Sequence, residues 1–196
     1  MRAQRRDATG NALVEFAIIL PLLLLLAIPV FDFARVIQAN MILTGLSREG
    51  ANLASRTSQD PQTIMAAIAT TAPPLNMNSK GMIYITKIMG NLEKGVIRNV
   101  ILQQDRWVQG AYSSPSSSVW TCGASGTAWR SDGTCNGITA ANLPTASLMT
   151  GQLNDGEVIY LVEAFYDFPL LFNAMNLGFG AKTVKPNANL RARTIF

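Results

Sequence analysis

An apolar run near the start of the chain limits what it can fold into more than any other feature. From Phe16 to Phe31 no side chain is charged or polar, and extended back to Ala12 the run covers twenty residues broken only by Glu15. A helix needs about 20 residues to cross the ~30 Å hydrocarbon core of a bilayer. The run is therefore expected to span a membrane. Arg2, Arg5 and Arg6 precede it and a weakly charged continuation follows it. By the positive-inside rule the C-terminal bulk then lies outside the cytoplasm.

Composition agrees with a membrane segment followed by one modest domain. Only 14% of the 196 residues are charged, against about 25% in an average soluble domain. Half of the formal net charge of +4 belongs to residues 1–10, which hold three arginines and one aspartate. The basic balance is thus mostly a property of this leader, and no nucleic-acid partner is expected. The chain has no histidine, which excludes Ser-His-Asp and Cys-His catalysis and the commonest transition-metal ligand. Cys122 and Cys135 stand in a Ser/Gly-rich stretch beyond the apolar run. They read as a disulfide formed in an oxidising compartment, and without histidine they make a poor zinc site.

Three readings compete for the N-terminus. A cleaved secretory signal has the basic and apolar regions, but the best small-residue site, ending at Ala34, carries Asp32 and Phe33 where small residues are wanted. A plain signal anchor needs nothing further. A third reading explains Glu15, because a carboxylate in a membrane helix is costly and is usually functional and partnered. Glu15 lies five residues after Gly10. A cut after Gly10 would create an α-amino group at Asn11, one helical turn from Glu15. Inside an apolar bundle, the amine of one subunit and the Glu15 of its neighbour would neutralise one another, whereas either charge alone would be strongly unfavourable.

The run Gly10-Asn11-Ala12-Leu13-Val14-Glu15-Phe16, then Ala17-Ile18-Ile19-Leu20-Pro21 and a leucine stretch, resembles the processing region of type IV-like prepilins. It is most similar to the TadE/TadF-like minor pilins of Tad (Flp) pilus systems. Phe31-Asp32-Phe33-Ala34-Arg35 resembles the aromatic–acidic–aromatic segment that ends that region. The similarity covers about residues 5–50. It implies cleavage between Gly10 and Asn11 by a prepilin peptidase, with Glu15 and Phe16 serving assembly. It further implies residence in the inner membrane with the head in the periplasm, then an extracellular pilus with a major pilin and a second minor pilin as partners.

The expected domain plan is a leader over 1–10, a transmembrane helix over 11–31, an amphipathic continuation over 32–56 and a head over 57–196. In the continuation Val36, Leu43, Leu46, Gly50 and Leu53 recur at helical spacing. Either other subunits or the chain's own head would cover that stripe. Pro21 and Pro29 are read as kinks that neighbouring helices tolerate. Asp60-Pro61 starts a short helix to Thr70, which Pro73-Pro74 ends. Strands are expected over Met82–Met89, Val96–Leu102, Glu157–Phe168 and Asn189–Phe196, with a turn at Gly90–Gly95. The stretch 109–150 is long for a loop, hence functional or flexible, and it holds the cysteines. The fold class is α+β: a long N-terminal helix and a head with about four antiparallel strands.

No catalytic residue, cofactor or metal is expected, since no P-loop, G-x-G-x-x-G, H-E-x-x-H or G-x-S-x-G occurs. Glu157, Glu163 and Asp167 are expected to pair with Arg191 or Arg193 across the sheet. Trp107 is expected in the core, while Trp120 and Trp129, near Tyr112, are candidates for binding a sugar or receptor. A structural or priming subunit of a pilus, acting by assembly, is the leading function. The alternatives are an uncleaved membrane-anchored binding module, using the disulfide loop, and an extracytoplasmic enzyme using carboxylates, with a concave pocket gathering Glu157, Glu163 or Asp167.

Overall fold

A computed structural model of the chain describes residues 7–123, 128–171 and 187–196. Residues 1–6 of the expected leader, 124–127 of the Ser/Gly-rich stretch and 172–186 of the expected head lie outside these described residues. The elements run α1 Asp7–Arg56, α2 Pro61–Thr70, α3 Met77–Lys80, β1 Gly81–Glu93, β2 Val96–Arg106, β3 Val158–Pro169 and β4 Asn187–Ile195. The architecture is a single long N-terminal apolar helix followed by a small four-stranded antiparallel sheet domain. Two compact units divide the chain: residues 1–38 with 169–188, and residues 39–168 with 189–196.

In the first unit α1 runs through both Pro21 and Pro29 without ending. Its side chains from Ala12 to Leu26 are exposed, among them Leu13, Phe16 and Ile18. Farther along, Asp32 is buried, and Arg35 Nη1 donates to its Oδ1 at 3.2 Å, one turn away.

In the second unit the end of α1 lies against the sheet. Its buried side is Ala39, Leu43, Leu46, Ser47, Gly50, Ala51 and Ala54. Leu43, Leu46 and Gly50 belong to the expected stripe, whereas Val36 and Leu53 are only half-buried. Small residues make up most of the seam because the helix approaches its neighbours closely. A Cβ at residue 50 would lie 2.8 Å from Ile68 Cδ1 on α2 and 3.2 Å from Val162 Cγ1 on β3. α2 starts as its sequence dictates: Pro61 opens it, and Asp60 Oδ2 accepts from Gln62 N at 3.0 Å. It buries Ile64, Met65 and Ile68. The Asn/Ser/Lys stretch expected as loop holds one helical turn, α3, which Asn76 caps by accepting from Ser79 N at 3.2 Å.

The strand order is β2-β1-β3-β4, with β1 antiparallel to both neighbours. Tyr160 on β3 and Phe196 exchange backbone hydrogen bonds at 2.6 and 3.0 Å, which fixes the register of the C-terminal strand. Two boundaries differ from expectation. Gly90 is no turn residue: β1 continues through it to Glu93, and the turn is Lys94-Gly95, both at positive φ. The glycine is needed because a Cβ at residue 90 would lie 2.2 Å from the carbonyl oxygen of Asn154. β2 likewise runs on from Leu102 to Arg106. Its polar end still pairs, Gln104 with Thr86 and Asp105 with Ile85, after a register shift that leaves Leu102 as the extra residue of a bulge.

The stretch 109–150 covers one face and one edge of the sheet. Val119 and Ala146 of this stretch, with Leu153 just after it, pack with Ile88, Ile101, Ile159 and Leu161 in a buried cluster. The same stretch pairs with the outer edge of β2 in two places. Cys135 N donates to Gln104 O and Arg106 N to Gly133 O, both at 2.9 Å. Ile101 N donates to Pro144 O and Ala146 N to Asn99 O, both at 2.8 Å. A sheet edge that would otherwise invite foreign strands is thereby occupied. The alternation of β3 follows from this layering: Val162 meets the helices, while Ile159 and Leu161 meet the stretch on the opposite face.

Candidate functional site

Gly10 and Asn11 lie in the first turns of α1, and Glu15 and Phe16 follow on exposed helix surface. Among the described residues Glu15 has no ion-pair partner. It stands on a helix whose neighbouring side chains, Leu13, Val14, Ile18 and Ile19, are all apolar and exposed. Mean hydropathy reaches 2.7 in an 18-residue window of this helix, none of it buried, so the helix is long and apolar enough to cross a membrane. What the segment offers chemically is one carboxylate on a greasy rod. Such a rod needs either lipid or other helices around it.

The head has a different centre. Glu163 is fully buried on β3 and is held by four groups. Ser117 Oγ and Ser118 Oγ donate to it at 2.5 Å, Ser118 N at 3.2 Å, and Arg191 Nη2 lies 3.1 Å from its Oε1. The Arg191 guanidinium also lies 5.7 Å from the Phe165 ring centroid. The expected pairing across the sheet is thus made by Glu163 with Arg191, while Arg193 Nη1 lies 3.5 Å from Ser118 Oγ. Glu157 instead caps a turn, accepting from Asn154 N at 2.8 Å and Asn154 Nδ2 at 3.0 Å. Glu157 and Glu163 therefore have separate hydrogen-bond partners. Ser117 and Ser118 carried no signal of this role, being two of many serines in a low-complexity stretch.

The aromatic residues divide. Trp107 is buried in the core. Trp120 packs half-buried against the cluster around Ile101, and its carbonyl accepts from Gln104 Nε2 at 3.1 Å. Trp129 is half-buried, 5.8 Å from the Tyr84 ring and 5.2 Å from the Arg106 guanidinium. Tyr84 Oη donates to Pro115 O at 2.8 Å, and burial pushes its phenol above the ordinary value. Tyr112 Oη donates to Asn189 Oδ1 at 2.5 Å. Cys122 and Cys135 are disulfide-bonded with Cα atoms 6.0 Å apart. The bond lies beside the Trp129–Cys135 bridge and the attachment of Cys135 to β2. It therefore fixes the covering stretch at the point where that stretch meets the sheet edge. Among the described residues no group of three or more His, Cys, Asp or Glu side chains is placed to hold a metal ion.

Neither a curated protein nor a solved structure matches the chain. A family model does match its N-terminal part. The matched residues begin at Gly10, include Glu15, the whole apolar run and the seam residues Ala39 to Ala51, and end at Asn52 within α1. Over residues 10–52 the chain matches the family of TadE-like proteins.

Proposed function

We propose that the protein is a minor pilin of a Tad-type pilus. It is made with residues 1–10 as a leader and inserted in the inner membrane through the apolar part of α1, with its head in the periplasm. A prepilin peptidase cuts between Gly10 and Asn11. The helix then leaves the bilayer to pack among those of a major pilin and a second minor pilin, and the head is carried into an extracellular filament that serves adhesion. The observation that carries this reading is the match over residues 10–52, which contains both Gly10 and Glu15 at their spacing of five. The exposed apolar surface of α1 supports it, because that surface suits lipid first and helices afterwards.

In the filament the new amine of Asn11 neutralises Glu15 of an adjacent subunit, with Phe16 packing beside them. In the head, Trp120, just before the loop closed by Cys122–Cys135, and Trp129, within it, are the residues we assign to surface binding. Glu15→Ala tests the assembly step: processed protein should accumulate, and the protein should disappear from filaments sheared off the cells. Normal incorporation of the Glu15→Ala chain would remove the charge pairing from this reading.

A further inference from the structure

Where the last turn of α1 bends into α2, a cavity of about 260 Å³ opens against the sheet. Its apolar floor is Ala54, Ile64 and Ile85, and its polar wall includes Lys87, Gln103 and Asp105. Asp105 is 4% exposed. Gln103 Nε2 donates to its Oδ2 at 2.9 Å, and Thr134 supplies a further hydrogen bond. Among the described residues, no cation lies within ion-pair distance of it. Lys87, on the same face of the sheet, has its Nζ 5.7 Å from the Tyr160 ring centroid instead. Burial, with a smaller like-charge contribution from Asp60 and Asp132, pushes its carboxyl up to about 6.

A buried carboxylate without a counter-cation is costly unless something else supplies the charge. A perturbed carboxylate at the wall of a cavity is a common sign of a binding site. The cavity is slightly smaller than the ~300–1,000 Å³ typical for drug-sized ligands, so it suits a small molecule. It presents a carboxylate, an ammonium and an aliphatic floor. We propose that this cavity binds a small aliphatic α-amino acid as its zwitterion. The ligand's ammonium meets Asp105, its carboxylate meets Lys87, and its side chain lies on Ala54, Ile64 and Ile85. This site is independent of cleavage or filament formation.

The test is equilibrium binding of L-valine to the full-length protein in detergent, with n-butylamine and isobutyrate as probes carrying one charge each. Saturable one-to-one binding of valine is expected, with each single-charge probe at least about tenfold weaker. Asp105→Asn and Lys87→Met should each weaken valine binding by at least about tenfold while the melting transition remains cooperative. Lowering the pH from neutral to about 5 should weaken binding roughly tenfold, because Asp105 takes up a proton across that range. If Asp105→Asn does not fold, the Lys87→Met arm decides. Three results would overturn the proposal: no saturable binding at millimolar valine, butylamine binding as tightly as valine, or a Lys87→Met chain that binds as the parent does.

Discussion

Gly50 of α1 and Ile68 of α2 are so close that a Cβ on residue 50 would come within 2.8 Å of the Ile68 methyl. The same Cβ would lie 3.2 Å from Val162 on β3, so the position is a three-way junction of both helices and the sheet. Gly50→Leu adds four carbons where no space exists. Overpacking of this kind costs about 1–3 kcal/mol, and the better helix propensity of leucine returns less than about 1 kcal/mol. The variant should melt at lower temperature than the parent. Gly45→Leu, on exposed helix surface with nothing within 4 Å, should not.

Glu163 and Arg191 should contribute unequally although they form one ion pair. Removing the carboxylate with Glu163→Ala leaves the buried Ser117 hydroxyl without its acceptor, at a cost of about 1–3 kcal/mol. The Arg191 side chain is 41% exposed, so water screens its charge and replaces its partner when it is lost. Denaturant melts of Glu163→Ala, Arg191→Ala and the double variant check this. The loss from Glu163→Ala should exceed that from Arg191→Ala, and the two should not add.

The disulfide Cys122–Cys135 closes a short loop in the stretch that covers the sheet. In the chain-entropy treatment, closing a loop of this length is worth about 3 kcal/mol. A Cys122→Ser, Cys135→Ser chain should therefore unfold at lower denaturant. The amides that join the stretch to β2, that of residue 135 and that of Arg106, should exchange faster with solvent, as hydrogen exchange can measure.

Asp105 gives the fold a dependence on pH whose sign is unusual for a carboxylate. Its folded pKa is raised to about 6 from the ordinary value of 3.8, chiefly by burial. Between those values the folded state binds the proton more tightly than the unfolded chain does, so stability falls as pH rises through this window. The span corresponds to at most about 3 kcal/mol. Asp105→Asn should remove most of that slope and raise stability at neutral pH, seen in melting curves taken from about pH 4 to pH 7. A stabilised variant that loses ligand binding is the exchange expected of a functional residue.

The elements with strong local chemistry were legible from sequence. The apolar run, Asp60-Pro61 at the start of α2 and the alternation of β3 each depend on residues close in the chain, and the structure has them where they were expected. Gly90 misled because a glycine needed for close approach to Asn154 looks, in sequence, like a turn. The extension of β2 was hidden because Gln103, Gln104 and Asp105 are polar, and only tertiary partners such as Thr86, Trp120 and Thr134 make a strand of them. The same holds for the sites. Glu163 with Arg191 followed from alternation of charge along two strands, whereas the serines that complete it, and the cavity beside Asp105, arise from residues far apart in the chain.

The mass of the mature N-terminus, measured on protein from the native host with and without its prepilin peptidase, bears most directly on the pilin assignment. A chain beginning at Asn11 in the presence of the peptidase, and at the leader in its absence, is the predicted result. A leader still attached in both strains would contradict it. The protein would then be a membrane-anchored module whose function lies in the head, around the Cys122–Cys135 stretch.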